Sequence, residues 1–536
     1  MAERKQDQGL LERFNNGVDR VIGMFSPKEE LERRMCRMAN TFAMRGVYEG
    51  ARRDPARADW LPRGGSADED LLDDLGMLRQ RSRDLDRNDA IASGISSTMV
   101  YNVIGHGLCP QSQVDKERIG LDDAAATKFQ SDAEKIWERW APFADTGGRM
   151  SFWEMQQVII RQVIMNGEVL FLREMITDEP WRPYNLALNM IEADRLDTPS
   201  DKFSDKSIRR GVELGSRGQP IAYWICNTHP GDLTYSKRSP DSKQYVRVPI
   251  RSPYGQLNAL HLYWIKRPGQ TRGEPFLAPV LNKFKDLSDY MEAELIANKI
   301  AACFALFIKQ NNPYDTALKA TSRTENDKRI EELYPGLIER LGPGEEVQTV
   351  NPTRPGAQFD PFVDKILCFI GASIGLPREL VLKDFGKSNY SNTRAALLEA
   401  RKMFKCKQLW LSEKFCQPVF NLLIEEAFLR GEVTAPNFYE YAQDYSRSKW
   451  IGPGWGYIDP EKEINAATEA INNNLSTLAD ECAAHGRDWE DVLTQRQREE
   501  ALRKQLGLPD INGNDTTITI GKTKNNSGAT NAEENQ

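Results

Sequence analysis

The sequence is poor in the side chains that build metal and redox sites. It contains four histidines, His106, His229, His261 and His485, which lie far apart and match no metal-ligand spacing. Its eight cysteines are scattered, and no two of them form a C-x-x-C pair. We therefore expect reduced cysteines in a cytoplasmic setting, with no metal, no cofactor and no catalytic residue.

Long hydrophobic runs and an excess of basic residues are also missing. The longest apolar run covers residues 300–308, whereas a membrane-spanning helix needs about 20 residues, so no membrane span is predicted. The 536 residues are too many for one core and carry a formal net charge of −7. A protein that mainly grips phosphates usually has a strongly basic domain. The negative net charge argues against a protein whose main task is to bind phosphates. It does not exclude a protein with a surface along which DNA slides.

The chain lacks a complete nucleotide-binding motif. Gly386 precedes Lys387 and Ser388 as at the end of a P-loop, yet Val381 stands where the first glycine is needed. Residues 521–523 fail in the same way, because they too have no glycine five positions earlier. The turn that cradles phosphates is therefore missing, and no ATPase motor is predicted in this chain.

A hydrolase motif is present only in part. Residues 371–375 fit G-x-S-x-G, in which Ser373 would be the nucleophile. That chemistry needs a strand before the serine and a later histidine, but the preceding run has helical spacing and the only later histidine is His485. The competing interpretation is a helix end in which Ser373 packs or caps, and a serine hydrolase stays a remote alternative.

What the sequence does contain is mostly helical periodicity. Helices are predicted at residues 9–44, 70–103, 124–139, 152–165, 460–473, 475–485 and 489–506. Between residues 167 and 267, short β-rich runs alternate with turn clusters, which predicts a β-containing domain. The tail after residue 510 is rich in Asn, Thr and Gly and is expected to be disordered. The predicted fold class is α+β and predominantly helical.

Two further helical segments flank a polar insert. The first runs from about residue 275 to 302 with an apolar stripe, and the second from 359 to 376. The other face of the first segment alternates in charge through Lys283, Lys285, Asp286, Asp289, Glu292 and Glu294. Such a face is typical of a solvated helix. A contact between identical helices in a ring would also explain it, and both interpretations stay open.

The most informative segment is the polar stretch of residues 383–392, K-D-F-G-K-S-N-Y-S-N. It separates the second of these helical segments from a run of good helix formers that begins at Thr393. Loops held on rigid helices often carry function. The sequence therefore predicts a mobile finger of mixed chemistry between two helices.

Six short stretches occur in order along the chain. They are residues 78–88 (LRQRSRDLDRN), 191–197 (IEADRLD), 267–275 (RPGQTRGEP), 374–380 (IGLPREL), 389–401 (NYSNTRAALLEAR) and 450–456 (WIGPGWG). Together they make residues 48–506 closely resemble the phage portal proteins of the lambda type. The resemblance implies a ring, usually of twelve copies, at one capsid vertex, through which DNA is packed and later ejected.

The resemblance also implies the parts of a portal fold. On that plan the chain divides into an N-terminal helical arm (1–47), a wing (48–273), a stem helix (274–302), a clip (303–355), a second stem helix (356–376), a tunnel loop (377–392), a long wing helix with its return (393–458), a crown (459–508) and a disordered tail (509–536). The arm and the tail carry no usable resemblance, and the clip diverges most. The tunnel loop would narrow the channel.

The same resemblance implies partners and a location. The ring would be a homo-oligomer, a dodecamer, around double-stranded DNA. The clip would dock the large subunit of the terminase and then the head-completion adaptor, and the major capsid and scaffold proteins would surround the ring. The protein would lie at the portal vertex of the virion after assembly in the host cytoplasm.

The candidate site is the tunnel loop, with residues Lys383, Asp384, Phe385, Lys387, Ser388, Asn389 and Tyr390. We hypothesise that its two lysines make transient contacts with the phosphates of DNA, while the negative charge of Asp384 prevents the loop from binding the DNA tightly. Phe385 and Tyr390 would brush the duplex or pack between neighbouring loops, or else merely anchor the loop to its own subunit. The alternative function is another ring-forming head–tail connector that lacks a tunnel loop.

Overall fold

The computed structural model describes residues 64–232, 244–302, 359–386, 389–457 and 459–508, with strand segments in 306–349 and single residues before 64. The predicted helical arm, most of the clip and the predicted tail lie outside the described residues. The chain divides into two units, Met1–Asp70 and Leu71–Gln536. Apart from the short helix Ala67–Leu71, the elements described below all lie in the second unit.

Helices dominate the first part of the chain. They are α1 (Ala67–Leu71), α2 (Leu75–Asn88), α3 (Ala90–Val103), α4 (Lys116–Ile119), α5 (Asp123–Trp140) and α6 (Phe152–Asn166). The helices predicted near 124–139 and 152–165 are thereby confirmed. The single helix predicted over 70–103 is wrong, because Asp89 accepts hydrogen bonds from the backbone N–H groups of Ile91 and Ala92 and starts a new helix there.

The predicted β-containing domain is confirmed and consists of two antiparallel sheets. Its strands are β2 (Glu168–Met175), β3 (Leu186–Ile191), β4 (Ile208–Arg209), β5 (Val212–Leu214), β6 (Pro220–Cys226), β7 (Tyr245–Pro249) and β8 (Ala259–Tyr263). One sheet has the order β3-β2-β8, in which Val169 faces Leu262, and the other has the order β4-β5-β6-β7. A separate pair joins β1 (Cys109–Ser112) to β13 (Ser448–Ile451).

Two helices and the strands between them follow. They are α7 (Leu281–Ala302), β9 (Leu306–Gln310), β10 (Thr324–Glu325), β11 (Lys328–Arg329), β12 (Glu345–Thr349) and α8 (Phe359–Ile374). The prediction that α7 starts near residue 275 is wrong, since a 3₁₀ turn, Ala278–Val280, precedes it. The two helices pack side by side, with the Tyr290 ring 5.8 Å from that of Phe359 and 5.2 Å from that of Phe362.

A long, interrupted helix crosses the core. It comprises α10 (Tyr390–Leu411), a π-helical turn (Ser412–Cys416) and α11 (Gln417–Leu429), and the short α9 (Arg378–Leu382) precedes it. The long helix predicted to begin at Thr393 is thereby confirmed, although it starts three residues earlier and contains a π-helical turn. Pro418 explains the wide turn, because it has no N–H to donate and its ring would clash with a carbonyl in the preceding regular turn.

The main core lies between this helix, α3, α5, α6 and β2. Trp137 of α5 is its aromatic centre, with ring centroids 4.6 Å from Phe152, 5.9 Å from Phe420 and 5.3 Å from Trp450. The Phe415 ring of the π turn stacks on Phe152 at 5.1 Å. Aromatic pairs of this kind bury much apolar surface in one place, so the wide helical turn is fixed at the centre of the fold.

The remaining elements form a helical module at the end of the described chain. They are α12 (Ala442–Tyr445), followed after β13 by α13 (Pro460–Asn472), α14 (Leu478–Ala484) and α15 (Trp489–Gln505). The three helices predicted after residue 459 are confirmed, and Asp459 caps α13 through the N–H of Lys462. We call α13–α15 the crown helices; they contain no buried residue. Among the described residues, no helix is long and apolar enough to cross a membrane.

Candidate functional site

The candidate site is the turn that joins α9 to α10. It comprises residues 383–389, because α10 begins at Tyr390 and not at Thr393, where the sequence analysis had placed its start. The earlier start is due to Asn389, whose side chain accepts a hydrogen bond of 2.9 Å from the backbone N–H of Asn392 and so caps the helix. The loop is therefore shorter than predicted, and Tyr390 lies in the first turn of a helix.

Lys383 begins the loop in a rare backbone conformation. It is the C-cap of α9 and has a φ of 55°, in the left-handed region that residues with a Cβ seldom adopt. This conformation turns the chain out of the helix. The second basic residue of the loop, Lys387, and its neighbour Ser388 lie outside the described residues, so the roles given to them stay predictions.

Asp384 is bound to its own subunit through both carboxylate oxygens. Oδ2 accepts a hydrogen bond of 3.0 Å from Arg378, and Oδ1 accepts one of 3.0 Å from the backbone N–H of Gly386. Arg378 also donates through Nε to Asp364 of α8, at 2.6 Å. These contacts give Asp384 a structural role in addition to the effect on DNA that was predicted for it.

The two aromatic residues of the loop are half-exposed. Phe385 is 46% exposed and Tyr390 is 51% exposed. Within the described part of the chain, neither ring stacks on another aromatic ring. Each ring therefore has free surface for a further contact, and both interpretations of the two rings stay predictions.

Ser373 does not lie in a nucleophile elbow. It is an exposed residue near the end of α8, so a helix and not a strand leads into it. The expectation that Ser373 packs or caps is also wrong, because its side chain faces solvent. His485 belongs to the crown helices' module, at the end of α14. The arrangement gives no support to a serine hydrolase.

The stretch 450–456 is a close-packed joint between the long helix and the crown helices. A Cβ added to Gly454 would lie 2.2 Å from the carbonyl carbon of His485, so only glycine fits there. The guanidinium of Arg401, on α10, lies over the Trp455 ring at 5.5 Å. Residues 450–456 therefore have a structural role, which is to let two backbone segments pack closely.

The structure also contains a buried charge network that the sequence analysis missed. Glu168, at the start of β2, accepts hydrogen bonds of 2.7 Å from Arg79 of α2 and 2.7 Å from Arg272. Its other oxygen lies 3.0 Å from Nε2 of His261, on β8. All four side chains are at most 5% exposed. We call these four residues the Glu168 network.

Three of the six stretches meet in the Glu168 network. Arg79 comes from residues 78–88 and Arg272 from residues 267–275, and Arg272 also donates to the carbonyls of Ala193 and Leu196 in residues 191–197. A buried charge is costly unless it is paired, so these charged residues satisfy one another. The partners of Glu168 lie 89 and 104 positions away in sequence, and no periodic pattern could have connected them.

The pKa values in the Glu168 network follow from burial and pairing. Burial works against ionisation of Glu168, but Arg272 and Arg79 outweigh it and hold the pKa of the carboxyl well below its usual range. Burial lowers the pKa of Arg79 to about 10. Burial also lowers the pKa of His261, although the Glu168 carboxylate opposes this. At neutral pH the network therefore holds one carboxylate, two guanidinium groups and a neutral imidazole.

A second cluster, next to this network, brings a histidine beside two carboxylates. Nε2 of His229 lies 3.3 Å from Asp194 and 3.6 Å from Glu192, and Arg83 donates to Asp194. The three potential ligand atoms lie within 4.8 Å of one another, which the spacing of the histidines had not indicated. However, the N–H of Gly231 donates to Nδ1 at 3.0 Å and so places the ring proton on Nε2. The geometry favours a hydrogen-bonded ion-pair cluster over a metal site.

Comparisons with known proteins agree with the resemblance found in the sequence. Residues 53–408 match the family described as phage portal protein, lambda family. The chain is 27% identical over 515 residues to the probable portal protein of Halomonas phage phiHAP-1, covering 94% of this chain and 95% of that protein. It is 24% identical over 479 residues to portal protein B of Escherichia phage lambda, covering 84% and 88%.

Solved structures give a weaker likeness. A chain from the neck of an empty gene transfer agent particle, computed with C6 symmetry, has a TM-score of 0.40 and 12% sequence identity, covering 85% of this chain and 98% of that chain. A chain from the virion of a native gene transfer agent particle has a TM-score of 0.39. The family match, by contrast, spans well over half of the sequence. The chain therefore belongs to the lambda family of phage portal proteins, which are structural components of the virion and not enzymes.

Proposed function

We propose that identical copies of this chain form a ring around an axial channel at one vertex of the capsid, and that double-stranded DNA is packaged and ejected through it. The observation that carries this proposal is the family match over residues 53–408. The described structure supports it through apolar surfaces that a single copy leaves uncovered. A ring is the closed solution for head-to-tail contacts between identical subunits, and we expect about a dozen copies.

The first uncovered surface lies on the pair α7 and α8. Phe362 and Phe369, seven residues apart on α8, are 50% and 55% exposed. Met291 and Leu295, four residues apart on α7, are also largely exposed. Large apolar side chains left exposed on two packed helices are candidates for an interaction site. In the proposed ring, this pair is the stem, and the stem of a neighbouring copy covers these side chains.

The second uncovered surface lies on the crown helices. Their exposed large apolar residues are Ile464, Leu478, Leu493 and Leu502. Three helices without a buried residue draw little stability from their own packing, because helix stability in proteins comes mainly from burying an apolar face. In the proposed ring, the crown helices of adjacent copies pack on one another.

The loop of residues 383–389 would line the narrowest part of the channel. Phosphates must pass it without being held, and each retained lysine–phosphate contact makes binding tighter and more salt-dependent. In this proposal Lys383 touches phosphates briefly, and Phe385 and Tyr390 meet the duplex or a neighbouring loop. Asp384 keeps the loop in place through its contacts with Arg378 and Gly386.

The other partners in the proposal come from the family plan. The clip, residues 303–355, would dock the large subunit of the terminase during packaging and then the head-completion adaptor. The major capsid and scaffold proteins would surround the ring, which assembles in the host cytoplasm and stays at the portal vertex of the virion. No cofactor has a part in this function.

Mass measurement and electron microscopy of the purified full chain test the proposal. A ring of about a dozen copies with an axial hole is the expected result. A double substitution, Leu295→Asp with Phe369→Asp, should leave the protein monomeric with unchanged helical content by circular dichroism, because the charges oppose burial of the stem surface. A wild-type protein that stays monomeric or dimeric under all conditions would contradict the proposal.

A further inference from the structure

We propose that Arg378 is a positioning residue that holds the channel loop against α8. Its guanidinium bridges Asp364 on the helix and Asp384 in the loop, and we call this three-residue contact the loop latch. The inference rests on the proposed function, because it describes how the loop of that channel is held in place.

One guanidinium satisfies two carboxylates in the loop latch. Nε of Arg378 lies 2.6 Å from Asp364 Oδ1, and a terminal nitrogen lies 3.0 Å from Asp384 Oδ2. The second oxygen of Asp384 accepts from the N–H of Gly386 at 3.0 Å, which closes the turn of the loop. The planar fork of arginine allows two such contacts at once, whereas a lysine ammonium acts as a point charge.

The stretch 374–380 explains why Arg378 reaches both partners. The chain turns out of α8 at Gly375, which has a φ of 74°, and the N–H of Leu376 donates to the carbonyl of Gly371 at 2.9 Å. Pro377 then occupies the N-cap position of α9, so that Arg378 is the first residue of a five-residue helix. The side chain of Arg378 is only 14% exposed. It lies between the end of α8 and the loop, where it can contact both.

Polar contacts rather than apolar packing hold the first half of the loop. Phe385 is half-exposed, and Lys383 has a backbone conformation that a residue with a Cβ adopts only at some cost. The carboxylates of the latch are 32% and 41% exposed. Ion pairs with this exposure are weak enough to open and are screened by salt. The latch therefore holds the loop in one position while allowing it to be released.

Removing the arginine should have a larger effect than removing either carboxylate. Without Arg378, two carboxylates that shared one cation face the same space and repel each other. With Asp364→Asn, Arg378 still holds Asp384, and the loop should stay near its place. The order of effects expected from the latch is thus Arg378→Gln, then Asp384→Asn, then Asp364→Asn.

Hydrogen–deuterium exchange of the full-length protein tests this order. In Arg378→Gln, the amides of residues 384–386 should exchange about tenfold faster than in the wild type, which corresponds to a change of about 1.4 kcal/mol. In Arg378→Lys, these amides should exchange at a rate between those of the wild type and of Arg378→Gln. The lysine keeps the charge but lacks the planar fork that contacts both carboxylates. Lys285→Gln, which breaks an exposed pair with Asp289 on α7, is the control and should leave these amides unchanged.

The latch and the channel function can fail separately. The latch proposal would be overturned if the exchange rate in Arg378→Gln were within about twofold of the wild type, a change of less than about 0.5 kcal/mol. This holds for any result of the DNA retention measurement. Faster exchange with unchanged DNA retention in filled heads supports the latch and counts against the channel role of the loop. Faster exchange with reduced retention supports both.

Discussion

Glu168 and Arg272 form an ion pair with a distance of 2.7 Å, and each side chain is at most 2% exposed. The pair joins the first residue of β2 to the segment that leads into α7. Because Arg79 and His261 contact the same carboxylate, four elements separated in sequence meet at one buried group. The structural core of this portal protein therefore includes a charged centre as well as an apolar one.

Glu168→Gln should destabilise the protein strongly. The substitution keeps the size of the side chain but leaves Arg79 and Arg272 buried without their counter-charge, and breaking such a pair costs about 3–5 kcal/mol. Guanidinium unfolding followed by circular dichroism measures the loss. Glu274→Gln, which removes the partner of the more exposed Lys266, is the matched control and should cost less than about 1 kcal/mol. Similar losses in both variants would contradict this prediction.

Gly273→Ala should prevent the close approach of two backbones beside the same network. A Cβ at position 273 would lie 2.1 Å from the carbonyl oxygen of Gly167, so one of the two chains must move. We expect a lower melting temperature or insoluble protein. Gly76→Ala is the control, because Gly76 lies in α2 with no atom near its added Cβ, and the change should stabilise by about 0.5–1 kcal/mol.

The contact between α5 and the crown helices should depend on pH. Glu134 accepts a hydrogen bond of 2.8 Å from the N–H of Ser112. Burial, helped by the nearby Asp488, Glu490 and Asp491, raises the pKa of Glu134 to about 7. The folded protein thus keeps a proton there that the unfolded chain releases near pH 4.5. Stability from this group is complete below that pH and is lost as the pH rises through about 7.

The variant Glu134→Gln isolates this effect, because its amide oxygen can still accept from Ser112 but does not titrate. From pH 5 to pH 8, the melting temperature of the wild type should fall relative to that of the variant. Thermal unfolding at several pH values in one ionic strength measures the difference. A difference that stays constant over this range would show that Glu134 is not the titrating group.

Lys383 can be tested without disturbing the path of the loop. Asn tolerates the left-handed backbone at this position, whereas Ala does so at some cost. If the amine contacts phosphate, Lys383→Asn with Lys387→Ala should lower DNA retention in filled heads while rings still assemble. The Lys383→Ala variant shows how much of any change comes from the backbone. Retention equal to that of the wild type in the Asn variant would refute the phosphate contact.

Local patterns in the sequence were enough to predict most helices and the β-rich region. The start of α13 at residue 460 was predicted correctly, because it depends on the cap Asp459 and on other residues only a few positions away. The start of α10 was missed by three residues, although Asn389 is itself a good cap. The π turn was also missed, because Pro418 alone does not say how a helix accommodates it.

The sequence by itself determined the α+β class, most of the helices and the resemblance to portal proteins, since periodicity, caps and ordered motifs are readable along one chain. Only the tertiary structure decided which charged residues of those motifs form ion pairs with one another. Glu168 meets Arg79 and Arg272 across 89 and 104 residues, and Arg378 pairs with Asp364 before the turn that ends α8 and with Asp384 after α9. Such pairings depend on which elements the apolar core brings together, because burial is what makes an unpaired charge too costly to leave alone.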